Sequence, residues 1–389
     1  MSNTVHLASR MSEIQPFHVM DLLARARQLE AQGRSIIHLE IGEPDFATAD
    51  SIIAAGHRAL ENKHTHYTPA MGLPALRQTI ADYYQKRYDV HIDARRIVIT
   101  PGASGALHLA LAVLINPCEQ VLMADPGYPC NRHFVRLLEG KSLGVPVTNE
   151  TAYQLTAELL QEYWNDSVVA TMVASPSNPT GTLVSRNQMK SMVEFIDSKN
   201  AVLLVDEIYQ GLIYEAEDYT ALSLTRDAFV INSFSKYFGM TGWRLGWLVV
   251  PEAYIDAVDR LAQNIFLAAP TLSQYAALEA FSDHTLQLLD QRRDEFQRRR
   301  DFLLPALHDL GFKVPVKPEG AFYIYADCSP FTDDTYSFVY QMLEDVGVAV
   351  TPGIDFGTNR ATQHVRFAYT RSIGVLEQAV DRMASFLKK

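Results

Sequence analysis

Residues 233–244 read SFSKYFGMTGWR and bring two serines, a lysine and an arginine into a largely apolar stretch. Ser233, Ser235 and Arg244 suit a phosphate, because a guanidinium offers such an anion a planar fork of donors. Lys236 lies between them, just past an apolar run of strand length. Burial and neighbouring cations would lower its pKa and raise the neutral, nucleophilic fraction of the amine. A lysine between two loops is otherwise an ordinary surface residue, so the company it keeps has to decide.

That company is spread along the chain. Asp206 ends the run AVLLVD, where a carboxylate is costly unless it is paired or caps the following turn. Tyr209 follows three residues later, on the same loop. Asn178, in SNPTG, stands at a turn after VVATMVA and could donate to a ligand oxygen, although a plain strand exit would use the same residues. In TPGASGAL the amides of Ala103 and Ser104 fall at a helix start, where the dipole suits an anion. The loop has neither GxGxxG nor a Walker lysine, so it indicates neither a dinucleotide nor ATP.

These residues need a scaffold that gathers them. Apolar runs of strand length recur at 96–100, 120–124, 168–174, 201–206, 228–232 and 245–250, mostly separated by segments with helical period. Such alternation predicts an α/β fold with a mostly parallel buried sheet flanked by helices, over residues 45–279. Residues 280–389 read as a smaller α+β domain, with a long helix, the short strands FKVPV, GAFYIYAD, VAVTPG and HVRFAYT, and helices at 334–346 and at the C-terminus. Residues 1–44 carry a helix over 17–32 and are expected to pack with that smaller domain. The cluster QRRDEFQRRR reads as the solvated face of the long helix.

The composition is that of an ordinary globular chain: 389 residues, 48% hydrophobic and 20% charged. A net charge of −11 argues against nucleic acid or an anionic membrane as the main partner. Cys118, Cys130 and Cys328 have no metal-type spacing and read as thiols of a reducing compartment. The opening MSNTVHLASRM lacks an apolar leader region, and ALHLALAVLI is too short to span a bilayer, so a cytoplasmic protein is expected. His64 and His66 have HxH spacing with no further ligand cluster, and no metal is expected.

A phosphate grip, a carboxylate for a basic ring nitrogen, donors for a phenolic oxygen and an amine for an aldehyde together describe pyridoxal phosphate. The chain resembles the fold-type I enzymes that use it, and closely the class I/II aminotransferases of the aspartate aminotransferase superfamily. The likeness runs from SRMSEIQPF and IGEPDF through YTPAMGLPALR, PGASGAL, DPGYP, SNPTG, DEIY and SFSK to GWRLGW, PEGAFYIY, TPGIDFG and HVRFAYT. It implies that Lys236 forms the Schiff base and shuttles a proton, and that Asp206 keeps the ring nitrogen protonated. It implies that Tyr209 and Asn178 bond the phenolic oxygen, and that Tyr128 stacks on the ring. The phosphate would lie against Ala103, Ser104, Ser233, Ser235 and Arg244. Tyr67 resembles the tyrosine that reaches the phosphate of a neighbouring subunit, which makes the active unit a homodimer. Arg366 would fork the α-carboxylate of an amino acid or 2-oxo acid substrate, beside the backbone of Gly42.

The activity so implied is ping-pong transfer of an amino group from an L-amino acid to a 2-oxo acid. A carbon–sulfur lyase of the same fold, or a non-catalytic regulator that kept it, are the alternatives. PEGAF and FGTN read as shapers of the pocket, and Trp243 and Trp247 as packing beside Arg244. The stretch QNIFLAAPTLSQ, as a partner-supplied wall, favours aromatic or aliphatic substrates.

Overall fold

The computed structural model describes residues 6–388. Residues 1–5, with the first part of the segment read above for a leader, and Lys389 lie outside the described residues. Twelve strands are found among them: β1 (Ile37–His38), β2 (Ile97–Thr100), β3 (Gln120–Asp125), β4 (Lys141–Pro146), β5 (Val168–Ala174), β6 (Val202–Asp206), β7 (Phe229–Ser233), β8 (Gly246–Val249), β9 (Tyr323–Asp327), β10 (Val348–Ala349), β11 (Thr351–Pro352) and β12 (His364–Ala368). Seven form one sheet in the order β2-β8-β7-β6-β5-β3-β4, parallel except for β8, which runs antiparallel to both its neighbours.

Alternate residues of these strands enter two different cores. Val98, Val121, Leu204, Ile231 and Leu248 join one, while Ile97, Ile99, Leu122, Leu203, Val205, Val230 and Trp247 join the other. Burial on both faces is why the strands read as continuous apolar runs rather than as alternating ones. Strand β4 escapes that signal because it is an edge strand, KSLGVP, with Val145 as its one buried residue. FKVPV is not a strand: only Lys313 bridges, to Asp327, and Pro315 has no N–H to continue a ladder.

The sheet topology decides where functional groups meet. β5, β6 and β7 run side by side in one direction, so the segments following Ala174, Asp206 and Ser233 emerge at one edge. Because β8 is reversed, its first residue lies at that same edge, with Gly246 paired to Ser233 on one side and Thr100 on the other. The helix Gly102–Leu114, Ser233 and Arg244 are thereby brought together.

Strands β11, β12 and β9 make a small antiparallel sheet, and β1 pairs in parallel with β10. Helix His18–Ala31 packs on β10 and β11, joining the N-terminal segment to C-terminal elements. A clasp holds this part to the large sheet: Asp125 accepts from Thr358 N and Oγ1 and from Asn359 N, and Gly127 N donates to Phe356 O at 2.8 Å. FGTN thus grips DPGYP. Trp247 is buried in an aromatic cluster with Phe234, Phe238 and Phe281, and Trp243 Nε1 donates to Thr48 Oγ1 at 3.1 Å.

The long helix Asp283–Asp309 corrects one expectation. Its arginine cluster is not simply a solvated face, because Arg299 and Arg300 are buried. Arg299 Nη1 pairs with Asp45 at 2.8 Å, and Arg300 donates to Pro318 O at 3.0 Å and to Glu215 and Asp301. Arg292 lies over the Phe46 ring. The amphipathic pattern hid this, since buried arginines paired across the chain look like surface charge in a linear reading. Arg300→Ala should leave the Pro318 carbonyl without its donor and lower stability by about 1–3 kcal/mol. An unchanged thermal midpoint would show that the guanidinium contributes nothing.

Candidate active site

A cavity of about 270 Å³ opens where the edge of the large sheet faces the small one. It is lined by Gly42, Ala103, Ser104, Tyr128, Asn178, Asp206, Tyr209, Ser233, Ser235, Lys236, Arg244 and Arg366. Of the residues read from the sequence as holding the cofactor or substrate, Tyr67 alone lies elsewhere, on the surface and 82% exposed.

Lys236 Nζ donates to the carbonyl of Gly42 at 2.6 Å and lies 5.8 Å from the centre of the Tyr209 ring. Burial lowers its pKa to about 8, with Arg366 and Arg244 adding to the effect and Glu43 and Asp206 opposing it. At neutral pH a fraction on the order of a tenth of such amines is neutral, against under a thousandth for an ordinary lysine. Asp206, 4% exposed, accepts from Ile208 N at 3.1 Å, and burial raises its carboxyl to about 6. Tyr209 and Tyr323 share a hydroxyl–hydroxyl bond of 2.8 Å, and burial pushes both phenols up.

Arg366 is buried and held by neutral acceptors. Nη1 donates to Asn178 Oδ1 at 3.0 Å, and Nη2 donates to Thr351 Oγ1 at 3.1 Å and to the Glu40 carbonyl. Its guanidinium stacks between Tyr323, at 4.3 Å, and Phe356, at 5.0 Å. Its Nε has no partner among the described residues. Since Asn178 turns its oxygen to Arg366, the amide nitrogen of Asn178 is left to donate elsewhere.

At the other end of the cavity the helix Gly102–Leu114 begins after Pro101, with no side-chain cap on its first amides. Those N–H groups need an acceptor, and the dipole favours an anionic one. Gly102 has φ +70°, and a Cβ there would meet Arg244 Nη2 at 2.7 Å. Glycine therefore lets the guanidinium lie against the helix start. The Ser233 hydroxyl accepts from Ser235 N at 3.1 Å and donates to Leu245 O at 3.4 Å.

Reasoning from the sequence missed four contributors. Tyr323 lay inside PEGAFYIY, read as pocket-shaping; its hydroxyl packs on Gly42, where any Cβ would overlap it. Thr351, the carbonyl of Glu40 and the ring of Phe356 hold Arg366. Only the glycine of IGEPDF signalled such close approach. His64 stacks on Tyr275 with ring centres 4.0 Å apart, and the His66 carbonyl accepts from Thr271 Oγ1.

The helix, sheet and cavity are those of fold-type I aminotransferases, and the comparisons agree. Residues 34–383 match the family described as aminotransferase class I and II, and the chain belongs to it. It is 37% identical to the (5-formylfuran-3-yl)methyl phosphate transaminase of Methanocaldococcus jannaschii, covering 98% of this chain and 100% of that one. It is also 37% identical to a valine–pyruvate aminotransferase of Mycobacterium tuberculosis, over 96% of this chain and 97% of the relative. The crystal structure of aspartate aminotransferase from Thermus thermophilus with maleate superposes with a TM-score of 0.92 at 30% identity, covering 98% of this chain and all of that one. The protein is an aminotransferase, a transferase of nitrogenous groups, and neither the lyase nor the regulator reading is favoured.

Members of this family are generally dependent on pyridoxal phosphate, and the residues present fit it. Uncapped amides with Arg244 offer a phosphate cradle, Asp206 is a buried carboxyl with one neutral donor, and the orphaned Nε of Arg366 awaits an anion. In the cofactor-free protein, Asp206 holds a proton that the unfolded chain releases between pH 3.8 and about 6. This group thus makes stability fall as pH rises through that window. Asp206→Asn should remove the contribution, at most on the order of 3 kcal/mol, and flatten the pH dependence of the urea midpoint. An unchanged profile would mean that the carboxyl ionises normally.

Proposed function

We propose that Lys236 binds pyridoxal phosphate covalently and that the chain exchanges amino groups between an L-amino acid and a 2-oxo acid in two half-reactions. The convergence of Lys236, Asp206 and Arg366 in one cavity is the observation that carries this reading. Ala103 and Ser104 amides, Ser233, Ser235 and Arg244 would hold the phosphate. Asp206 would keep the ring nitrogen protonated, Tyr209 and Asn178 would bond the phenolic oxygen, and Tyr128 would cover the ring face. Bound there, the cofactor supplies an electron sink for the pair left when the substrate Cα–H bond breaks.

The chain's own residues do the rest. Arg366 orients the α-carboxylate, for which its neutral hydrogen-bond partners leave its charge unspent. Lys236 Nζ would take and return the proton at the substrate α-carbon, and its lowered pKa suits it to do so near neutrality. Closure of the small-domain elements and N-terminal segment would exclude water from the reacting carbon.

The active unit is proposed to be a homodimer. Tyr67 is exposed on its own chain, as is Leu267 in the next loop over, which is tied to it through the bond of Thr271 to His66. A residue placed so serves a neighbouring subunit's phosphate. We further propose three parts, residues 1–44, 45–279 and 280–389, and a cytoplasmic setting, in keeping with three free thiols. Among the described residues no helix is long and apolar enough to cross a membrane.

Lys236→Ala should abolish both transamination and the absorbance of cofactor bound through a lysine, in a protein that still folds. Normal turnover in that variant would end the reading. Arg366→Lys loses the bidentate fork and should raise KM for amino acids by about 10- to 100-fold with cofactor still bound. An unchanged KM would place the carboxylate elsewhere.

A further inference from the structure

We propose that the first turn of the N-terminal helix, held in place by Asp355, forms the substrate side-chain pocket and selects amino acids with uncharged, apolar side chains. The inference rests on reading Arg366 as the α-carboxylate fork.

Helix His18–Ala31 begins after Phe17 with no side-chain cap of its own. Its cap comes from far along the chain: the Asp355 carboxylate accepts from His18 N and Val19 N, each at 2.9 Å. Two charge-assisted bonds to helix-start amides fix both the position and the entry angle of that turn. Asp355 is itself 2% exposed, and Arg132 Nη2 donates to its carbonyl at 2.9 Å. The next residue, Phe356, is the one that stacks on Arg366. Helix start and carboxylate fork are thus joined through two adjacent residues.

The turn so placed contributes Phe17, Val19 and Met20 to the cavity, with Leu23 from the next turn and Ile41 opposite. None of these can pair a charge. The only cations among the residues lining the cavity are Lys236, Arg244 and Arg366, and each already has a partner in the proposed reading. A distal carboxylate would lose its water against this wall without a counter-charge, whereas an aliphatic or aromatic side chain would bury apolar area there. Met20, exposed at the rim, is unbranched and can adapt to side chains of different shape.

Calorimetric titration of the cofactor-loaded enzyme with 3-phenylpropionate, 4-methylpentanoate and succinate tests this. The two monocarboxylates should bind at least about 10-fold more tightly than succinate. Phe17→Ala should weaken 3-phenylpropionate by about 10-fold, and more than it weakens succinate. Asp355→Ala should raise KM for leucine and phenylalanine with kcat little changed, and Asp355→Asn, which keeps an acceptor for the two amides, should recover part of the loss. Equal or tighter succinate binding would overturn the proposal, by showing that a cation from outside this cavity reaches the pocket. Equal effects of Phe17→Ala on both ligands would also overturn it. Should a variant fail to fold, the ranking on the unaltered enzyme still decides. Intact transamination with a preference for dicarboxylates sinks this inference alone, whereas turnover by Lys236→Ala sinks the reading beneath it.

Discussion

Three positive side chains, Lys236, Arg244 and Arg366, line one cavity, and the rest of the site follows from keeping them there. Arg366 is satisfied by a carbonyl, an amide oxygen and a hydroxyl rather than by a carboxylate. Its charge is therefore solvated by the protein without being cancelled, and the cavity stays receptive to anions. The same field works on Lys236: burial and the neighbouring guanidiniums pull the amine towards neutrality, while Asp206 and Glu43 limit how far it goes. A cavity built this way attracts anionic groups at two ends and leaves a nucleophile between them.

Holding like charges together needs a stiff frame. The frame is the reversed strand β8, whose Gly246 pairs with both Thr100 and Ser233 and so brings a helix start, a hydroxyl and Arg244 to one point. Glycines at 42 and 102 remove the Cβ atoms that would otherwise fill the space taken by Tyr323 and Arg244. Behind Arg366, the Glu40 carbonyl is steadied from its own side chain. That carboxylate is fully buried and bonded to His38 Nδ1 at 2.7 Å, while His38 Nε2 meets Glu30 at 3.2 Å. The bond to Glu40 raises the pKa of His38, which favours its charged form.

The two halves of the cavity come from parts of the chain far apart in sequence, and one continuous apolar core containing Tyr209, Tyr214, Phe322 and Tyr323 joins them. Asp125 to Thr358 and Asn359 adds a polar clasp between them, while Asp355 fixes the start of the N-terminal helix on the C-terminal elements. Both use a carboxylate accepting backbone N–H groups, a bond stronger than a neutral one yet made without a second charge.

How much of this was legible in the chain depended on whether the signal was local. Buried parallel strands announce themselves as unbroken apolar runs, and Asp206, Asn178 and Lys236 stand out because polar groups at the ends of such runs are costly. Edge strand β4 and the pseudo-strand FKVPV were misjudged, because edge exposure and a single proline decide those cases. The buried Arg299 and Arg300 could not be told from solvated neighbours, since their partners Asp45 and Glu215 lie far off in sequence. Residue types and strand ends, then, were determined by sequence alone, because hydrophobic burial and turn chemistry act over a few residues. Which tyrosine presses on Gly42, what holds Arg366 and which side chains roof the cavity were decided only by tertiary structure, because hydrogen bonds and excluded volume depend on distances that the chain sets only once it is folded.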